Sequence, residues 1–241
     1  MALTDGLYLH DAYLRQFDAH VLRSTEDGVV LDRTAFYPAG GGQPDDRGTL
    51  EVPGAESRLV TGVSHAGAGI LHGLDGPGPP DGTPVRGLID WPRRYAHMRY
   101  YSALHILSGV VFHRFGSGIT GGQIYADRAR MDFSLPEFGR ELAEDLVRET
   151  NEVIGRGLPI EVRFIPQAEA VKDASLVRVA ADLLPGGEMV RLIDIVGFDV
   201  QADGGTHVRS TAEVGDVRLD RLENKGARNK RLHLSLLSQS P

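Results

Sequence analysis

Short apolar runs alternate with polar residues and glycines through the first 90 positions. They are Leu7-Tyr8-Leu9, Ala19-His20-Val21-Leu22, Val29-Val30-Leu31, Gly48 to Val52, Arg58 to Val63, Gly69 to His72 and Val85 to Ile89. No helical period runs through them. The pattern predicts short strands, and Glu26-Asp27-Gly28 marks a hairpin turn between the second and third runs. Strands this short and this close predict a small barrel or sandwich. Gly76 to Gly82 (GPGPPDG) reads as a loop.

The pattern changes at Asp90-Trp91-Pro92. Asp90 suits a helix N-cap, and the first turn tolerates Pro92. From Arg93 to about Phe115, Tyr101, Leu104, Leu107 and Val111 recur at helical spacing, with Ile106 and Val110 widening the face. Gly116-Ser117-Gly118 ends that helix. A hairpin is predicted over Ile119 to Phe133, and a second helix from Pro136 to about Ile154, stopped by Gly155 and Gly157. Strands are predicted over Ile160 to Ile165, Met189 to Ile195 and Phe198 to Gln201, with a helix over 167–181 between the first two. Strand-like pieces around a basic segment finish the chain. The expected class is α+β: a small N-terminal β-barrel-like domain over 1–90, then a domain over 91–241 with long helices on an antiparallel sheet.

Composition narrows the chemistry. The 241 residues contain no cysteine, which excludes a disulfide framework, a thiolate nucleophile and a Cys-based zinc site made by this chain. The net charge of −7 disfavours indiscriminate binding to polyanions, so such a partner needs a local basic patch. Residues 218–231 offer one: Arg218, Arg221, Lys225, Arg228, Lys230 and Arg231 stand against Asp220 and Glu223. Arg93, Arg94 and Arg99 extend it. No apolar run reaches the ~18 residues of a membrane span, and MALTDGLYLH lacks the pattern of a signal peptide. A soluble, cytoplasmic protein is expected.

Of nine histidines, His10, His20, His65, His72, His113 and His233 stand alone and read as surface or satisfied side chains. Two contexts differ. In Tyr101-Ser102-Ala103-Leu104-His105, residues i and i+4 share a helix face. His97 lies about 12 Å from His105 along the axis at ~1.5 Å per residue, too far to share a metal. In Asp203-Gly204-Gly205-Thr206-His207 the paired glycines permit a tight turn that folds Asp203 and His207 towards one point.

These segments resemble the alanyl-tRNA editing family. Met98-Arg99-Tyr100-Tyr101-Ser102-Ala103-Leu104-His105 looks like its first metal motif, His-x-x-x-His, and Gln201-Ala202-Asp203-Gly204-Gly205-Thr206-His207 like its second, Cys-Gly-Gly-Thr-His. Thr34 to Pro44, with Gly40-Gly41-Gly42-Gln43, looks like its N-terminal glycine-rich motif. Glu223-Asn224-Lys225-Gly226 and Asn229-Lys230-Arg231 resemble its C-terminal basic signature. The order and coverage are those of the free-standing, medium-length members, related to the editing domain of alanyl-tRNA synthetase. Tyr101 stands where the family has histidine, and Asp203 where it has cysteine.

The resemblance implies ATP-independent hydrolysis of serine, and in some members glycine, from mischarged tRNA(Ala). It implies Zn2+, with His105, Asp203, His207 and the altered position Tyr101 as the ligand set. His105, Asp203 and His207 still make a two-histidine, one-carboxylate site, a set also used for other divalent metals. His105, if free of metal, is a candidate general base. Thr34 and Gln43 are candidate partners for the serine hydroxyl. Arg99, Lys225, Lys230 and Arg231 are candidate tRNA contacts. The alternatives are a diverged member that binds aminoacyl-tRNA without zinc chemistry, an enzyme for another aminoacyl ester such as Gly- or Thr-tRNA, and an unrelated metal hydrolase.

Overall fold

The computed structural model describes residues 4–67, 69–135, 138–172, 176, 188–226 and 229–237. The chain divides into two compact units, Met1–His97 and Met98–Pro241. Both are mixed α/β, and among the described residues every strand pairing but one is antiparallel.

The first unit holds β1 (Asp5–Gly6), β2 (Gln16–Thr25), β3 (Gly28–Leu31), β4 (Arg33–Thr34), β5 (Gly48–Glu51), β6 (Arg58–Ala66), β7 (Gly69–Leu74) and β8 (Pro84–Ile89). Six of them close on one another in the order β2-β3-β7-β6-β5-β8. β1 and β4 form the one parallel pair. Phe17, Val21, Leu31, Phe36, Leu50, Val60 and Val85 fill the interior. The alternation along β2 places Phe17, Ala19 and Val21 inward, as period 2 requires. Leu7-Tyr8-Leu9 is a 3-10 turn rather than the expected strand. Leu7 O accepts the N–H groups of both His10 and Asp11, which curls the run before it can pair.

Helix α1 (Trp91–Phe115) begins directly after Asp90, the expected N-cap, with Pro92 in its first turn. Asp90 sets the start: Oδ1 accepts the Arg93 N–H at 3.3 Å and its carbonyl accepts that of Arg94 at 3.0 Å. The helix is buried without interruption from Ser102 to Val111, so it presents more than the single apolar face that the spacing predicts. A helix apolar on most sides belongs inside its domain.

The second unit continues with β9 (Ile119–Ile124), β10 (Ala129–Phe133), α2 (Arg140–Gly155), β11 (Ile160–Pro166), α3 (Gln167–Ala170), β12 (Met189–Ile195), β13 (Asp199–Ala202), β14 (Val217–Asn224) and β15 (Lys230–Leu236). They form a four-stranded sheet, β14-β15-β10-β9, and a three-stranded sheet, β11-β12-β13. Ala143, Leu146, Val147, Thr150, Val153 and Ile154 are the buried residues of α2, which packs on β14. α2 starts at Arg140, not at Pro136, because Gly139 is extended (φ −99°, ψ 177°) and breaks the helical path there. Pro136 itself lies outside the described residues. Of the helix predicted over 167–181, the described part is α3, and most of the remainder lies outside the described residues. Among the described residues no helix is long and apolar enough to cross a membrane.

Candidate metal centre

The site in the second unit is built from one helix and one turn. α1 contributes Tyr101, Ser102 and His105; the turn after β13 contributes Asp203, Gly205 and His207. The turn is shaped by its own aspartate. Asp203 Oδ1 accepts the Gly205 N–H at 2.7 Å, closing a loop of the kind Asx side chains favour. The buried Arg191 guanidinium donates to the Asp203 carbonyl at 2.7 Å and holds the turn from β12. A Cβ on Gly205 would lie 2.3 Å from the Tyr101 ring, so only glycine lets the turn lie against that ring.

Asp203 Oδ2 is left facing two histidines. It lies 3.1 Å from His105 Nδ1 and 3.4 Å from His207 Nε2. The His105 contact is a hydrogen bond from Nδ1–H, since a carboxylate can only accept. His207 Nδ1 lies 3.1 Å from Ser102 Oγ, which also accepts the Val208 N–H. The imidazole planes of His105 and His207 meet edge to face at 5.0 Å, and Tyr101 meets His207 likewise at 5.2 Å. Burial works against charge on Asp203, but the hydrogen bond from His105 and the electrostatic attraction of the two imidazoles facing it outweigh burial and hold the carboxyl well below its usual range. Burial depresses His207 to about 4, with Asp203 opposing the shift, so this ring is neutral at pH 7.

The Nε2 atoms of His105 and His207 are buried and make no hydrogen bond. Buried polar nitrogens left without partners are rare and point to a missing ligand. His105, Asp203 and His207 each offer one ligand atom, and the three atoms lie within 4.8 Å of one another. Two imidazoles and a carboxylate suit a divalent cation that accepts N and O donors. The residues therefore fit a metal ion. Tyr101 touches this cluster through its ring.

The other sequence-predicted residues are placed as follows. Thr34 and Gln43 are buried in the first unit. His72 Nδ1–H donates to the Val29 carbonyl (3.2 Å), so the neutral ring's Nε2 accepts a hydrogen bond from the Thr34 hydroxyl at 2.8 Å. Thr34 Oγ1 also accepts the Phe36 N–H at 3.1 Å. Gln43 closes the glycine-rich turn: its N–H and carbonyl exchange bonds of 2.8 and 3.1 Å with Gly40. Gly41 and Gly42 between them have φ of 55° and 83°, a backbone that glycine adopts without strain.

Among the four expected tRNA contacts, Arg231 is committed to Asp132 through bonds of 2.6 and 2.7 Å. Lys230 is buried and donates to Asn224 Oδ1 and the Gly226 carbonyl. Arg99 donates to the Val214 carbonyl at 3.0 Å. Lys225 is exposed and paired with Glu223 at 2.6 Å. Arg228 lies outside the described residues. Residue spacing gave no reason to single out Ser102, Arg191, Asp199 or Gln201. Their contacts cross between elements, and the one sequence signal is adjacency to the two histidine segments.

A family model described as the threonyl and alanyl tRNA synthetase second additional domain matches residues 190–233, and one for class II (A) tRNA synthetases matches residues 8–93. The chain is 38 % identical over 236 residues to the alanyl-tRNA editing protein AlaX-M of Saccharolobus solfataricus, covering 97 % of this chain and 99 % of that one. It is 40 % identical over 245 residues to the AlaX-M protein of Methanosarcina acetivorans, covering 98 % and 100 %. It is also 38 % identical over 224 residues to the alanine–tRNA ligase of Pyrococcus furiosus, spanning 91 % of this chain but 24 % of the ligase.

Proposed function

The chain belongs to the AlaX-M family of alanyl-tRNA editing proteins, and from that premise we propose that it hydrolyses the ester linking serine, and secondarily glycine, to mischarged tRNA(Ala). The observation that carries this reading is the pair of buried, unpartnered Nε2 atoms beside the ionised Asp203. His105, Asp203 and His207 would hold Zn2+. A bound zinc supplies Lewis acidity and lowers the pKa of water.

The residues prepare for that chemistry. Asp203 fixes the His105 ring through Nδ1–H, and Ser102 lies against Nδ1 of His207, so both Nε2 atoms belong to rings tied down on the other side. Desolvation keeps His207 neutral, the form in which imidazole binds a metal. Asp203 brings the one negative charge that the absent cysteine would otherwise bring. Tyr101, whose ring meets His207 edge to face, is the fourth residue assigned to the ligand set. Serine differs from alanine by one hydroxyl, and a site that hydrogen-bonds this group discriminates far better than one that merely has room for it. Thr34 keeps one acceptor lone pair beyond its bonds to His72 and Phe36, and with Gln43 it is the group assigned to that hydroxyl. Lys225 and Arg99 are assigned to the tRNA backbone.

The test is deacylation of Ser-tRNA(Ala) beside Ala-tRNA(Ala), after chelation and after zinc is restored. Serine-selective loss of the ester that requires zinc is the expected result. Serine-selective loss indifferent to metal transfers the chemistry to His105 as general base. An intact ester in both states overturns the reading in favour of a binding protein.

A further inference from the structure

Gln201 lies in β13 two residues before Asp203, and its side chain is buried. Its amide nitrogen donates to Asp199 Oδ2 and, at 3.4 Å, to the backbone carbonyl of His105. Its amide oxygen accepts the Ser108 hydroxyl at 3.2 Å. Turned over, the amide would set its oxygen against a carboxylate and a carbonyl, so a single orientation is allowed. Asp199 is held in its turn: Oδ1 lies 3.2 Å from Nε2 of the half-exposed His113, while the carboxyl itself is buried. The helix approaches closely here. A Cβ on Gly109 would lie 2.7 Å from the Phe198 ring and 3.1 Å from Asp199 Oδ2.

His105 and Asp203 are 98 residues apart, so contacts between α1 and β13 must set their separation. The Gln201 amide grips α1 at two places one turn apart, the His105 carbonyl and the Ser108 hydroxyl, which fixes both the height and the rotation of that turn. We propose that Gln201 is a positioning residue: braced by Asp199 and His113, it sets the distance and angle between His105 and the turn that carries Asp203 and His207. The proposal rests on the reading of those three residues as the reacting centre. A displacement of about 1 Å in such a centre costs roughly a hundred-fold in rate.

Gln201→Met keeps the side-chain volume and removes all three bonds. A crystal structure of the folded, metal-free variant is expected to show the His105 Nδ1–Asp203 Oδ2 contact opened beyond hydrogen-bonding reach. Its zinc affinity, measured by competition with a chromophoric chelator, is expected to fall about ten-fold, as for other groups that orient metal ligands. An intact contact in Gln201→Met overturns the proposal. Wild-type protein that takes up no zinc in the same assay overturns the metal reading instead, and the crystallographic contact then still decides the role of Gln201. Should Gln201→Met fail to fold, Ser108→Ala removes one of the two anchors. A shifted His105 ring in that variant upholds the brace, and an unmoved one overturns it.

Discussion

The two units use buried polar groups in opposite ways. In the first, Arg94 is fully buried and donates to Asp46, to the Ala12 carbonyl at 2.8 Å and to the Ala35 carbonyl. Asp46 also accepts the Tyr37 N–H at 2.7 Å, and both ring nitrogens of His72 are bonded. These groups tie the first turn of α1 and the flanks of the glycine-rich turn to the barrel. In the second unit, His105 and His207 are also buried, yet each keeps one nitrogen that makes no hydrogen bond. Satisfied burial stabilises a fold; unsatisfied burial costs about 1–3 kcal/mol and is retained where something else binds. His97 is the exception within the first unit: it is buried with both ring nitrogens unpartnered.

The largest effect expected from this contrast is at the Arg94–Asp46 pair. Asp46→Ala leaves a buried guanidinium without its counter-charge and should destabilise the first unit by about 3–5 kcal/mol in chemical denaturation. A loss under about 1 kcal/mol would show that the pair is not the lock it resembles.

Acid comes next. Burial lowers His72 to about 4, against the hydrogen bonds it makes to the Val29 and Ile70 backbone, and lowers His97 to about 4 with help from the charges of Arg93 and Arg94. Both folded values lie below the ordinary 6.5, so the unfolded chain takes up protons first as pH falls. The stability they contribute is complete above pH ~6.5 and drains away between there and pH ~4, with His72 alone accounting for about 3 kcal/mol. Equilibrium unfolding followed by denaturant from pH 7.5 to 4 measures this. A flat profile would mean that His72 takes up its proton in the folded barrel.

The smallest effect is at the exception. His97→Phe removes two unpartnered nitrogens and keeps an aromatic ring, so stability should hold or rise by up to about 1 kcal/mol. A loss above about 2 kcal/mol would reveal a partner for His97 and bring it under the same rule as His72.

Much of this molecule was legible in the order of its residues. The alternation of Phe17, Ala19 and Val21 determined which face of β2 is internal, and Asp90, Gly116 and Gly157 bounded helices where local backbone chemistry demands it. The Tyr101–His105 spacing and the Gly-Gly turn between Asp203 and His207 marked both halves of the candidate centre, because one helical turn and one tight turn are local geometries. Only the tertiary structure decided what lies across from them. It brought His105 to Asp203, placed Ser102 behind His207, and set the Gln201 amide between two elements. It also committed Arg231 to Asp132 and buried Lys230, while Arg218, Arg221 and Lys225 of the same basic segment stay exposed. The physical reason is range: capping, turns and side-chain periodicity are settled within a few residues. The partner of a buried charge or imidazole is settled by packing across about a hundred.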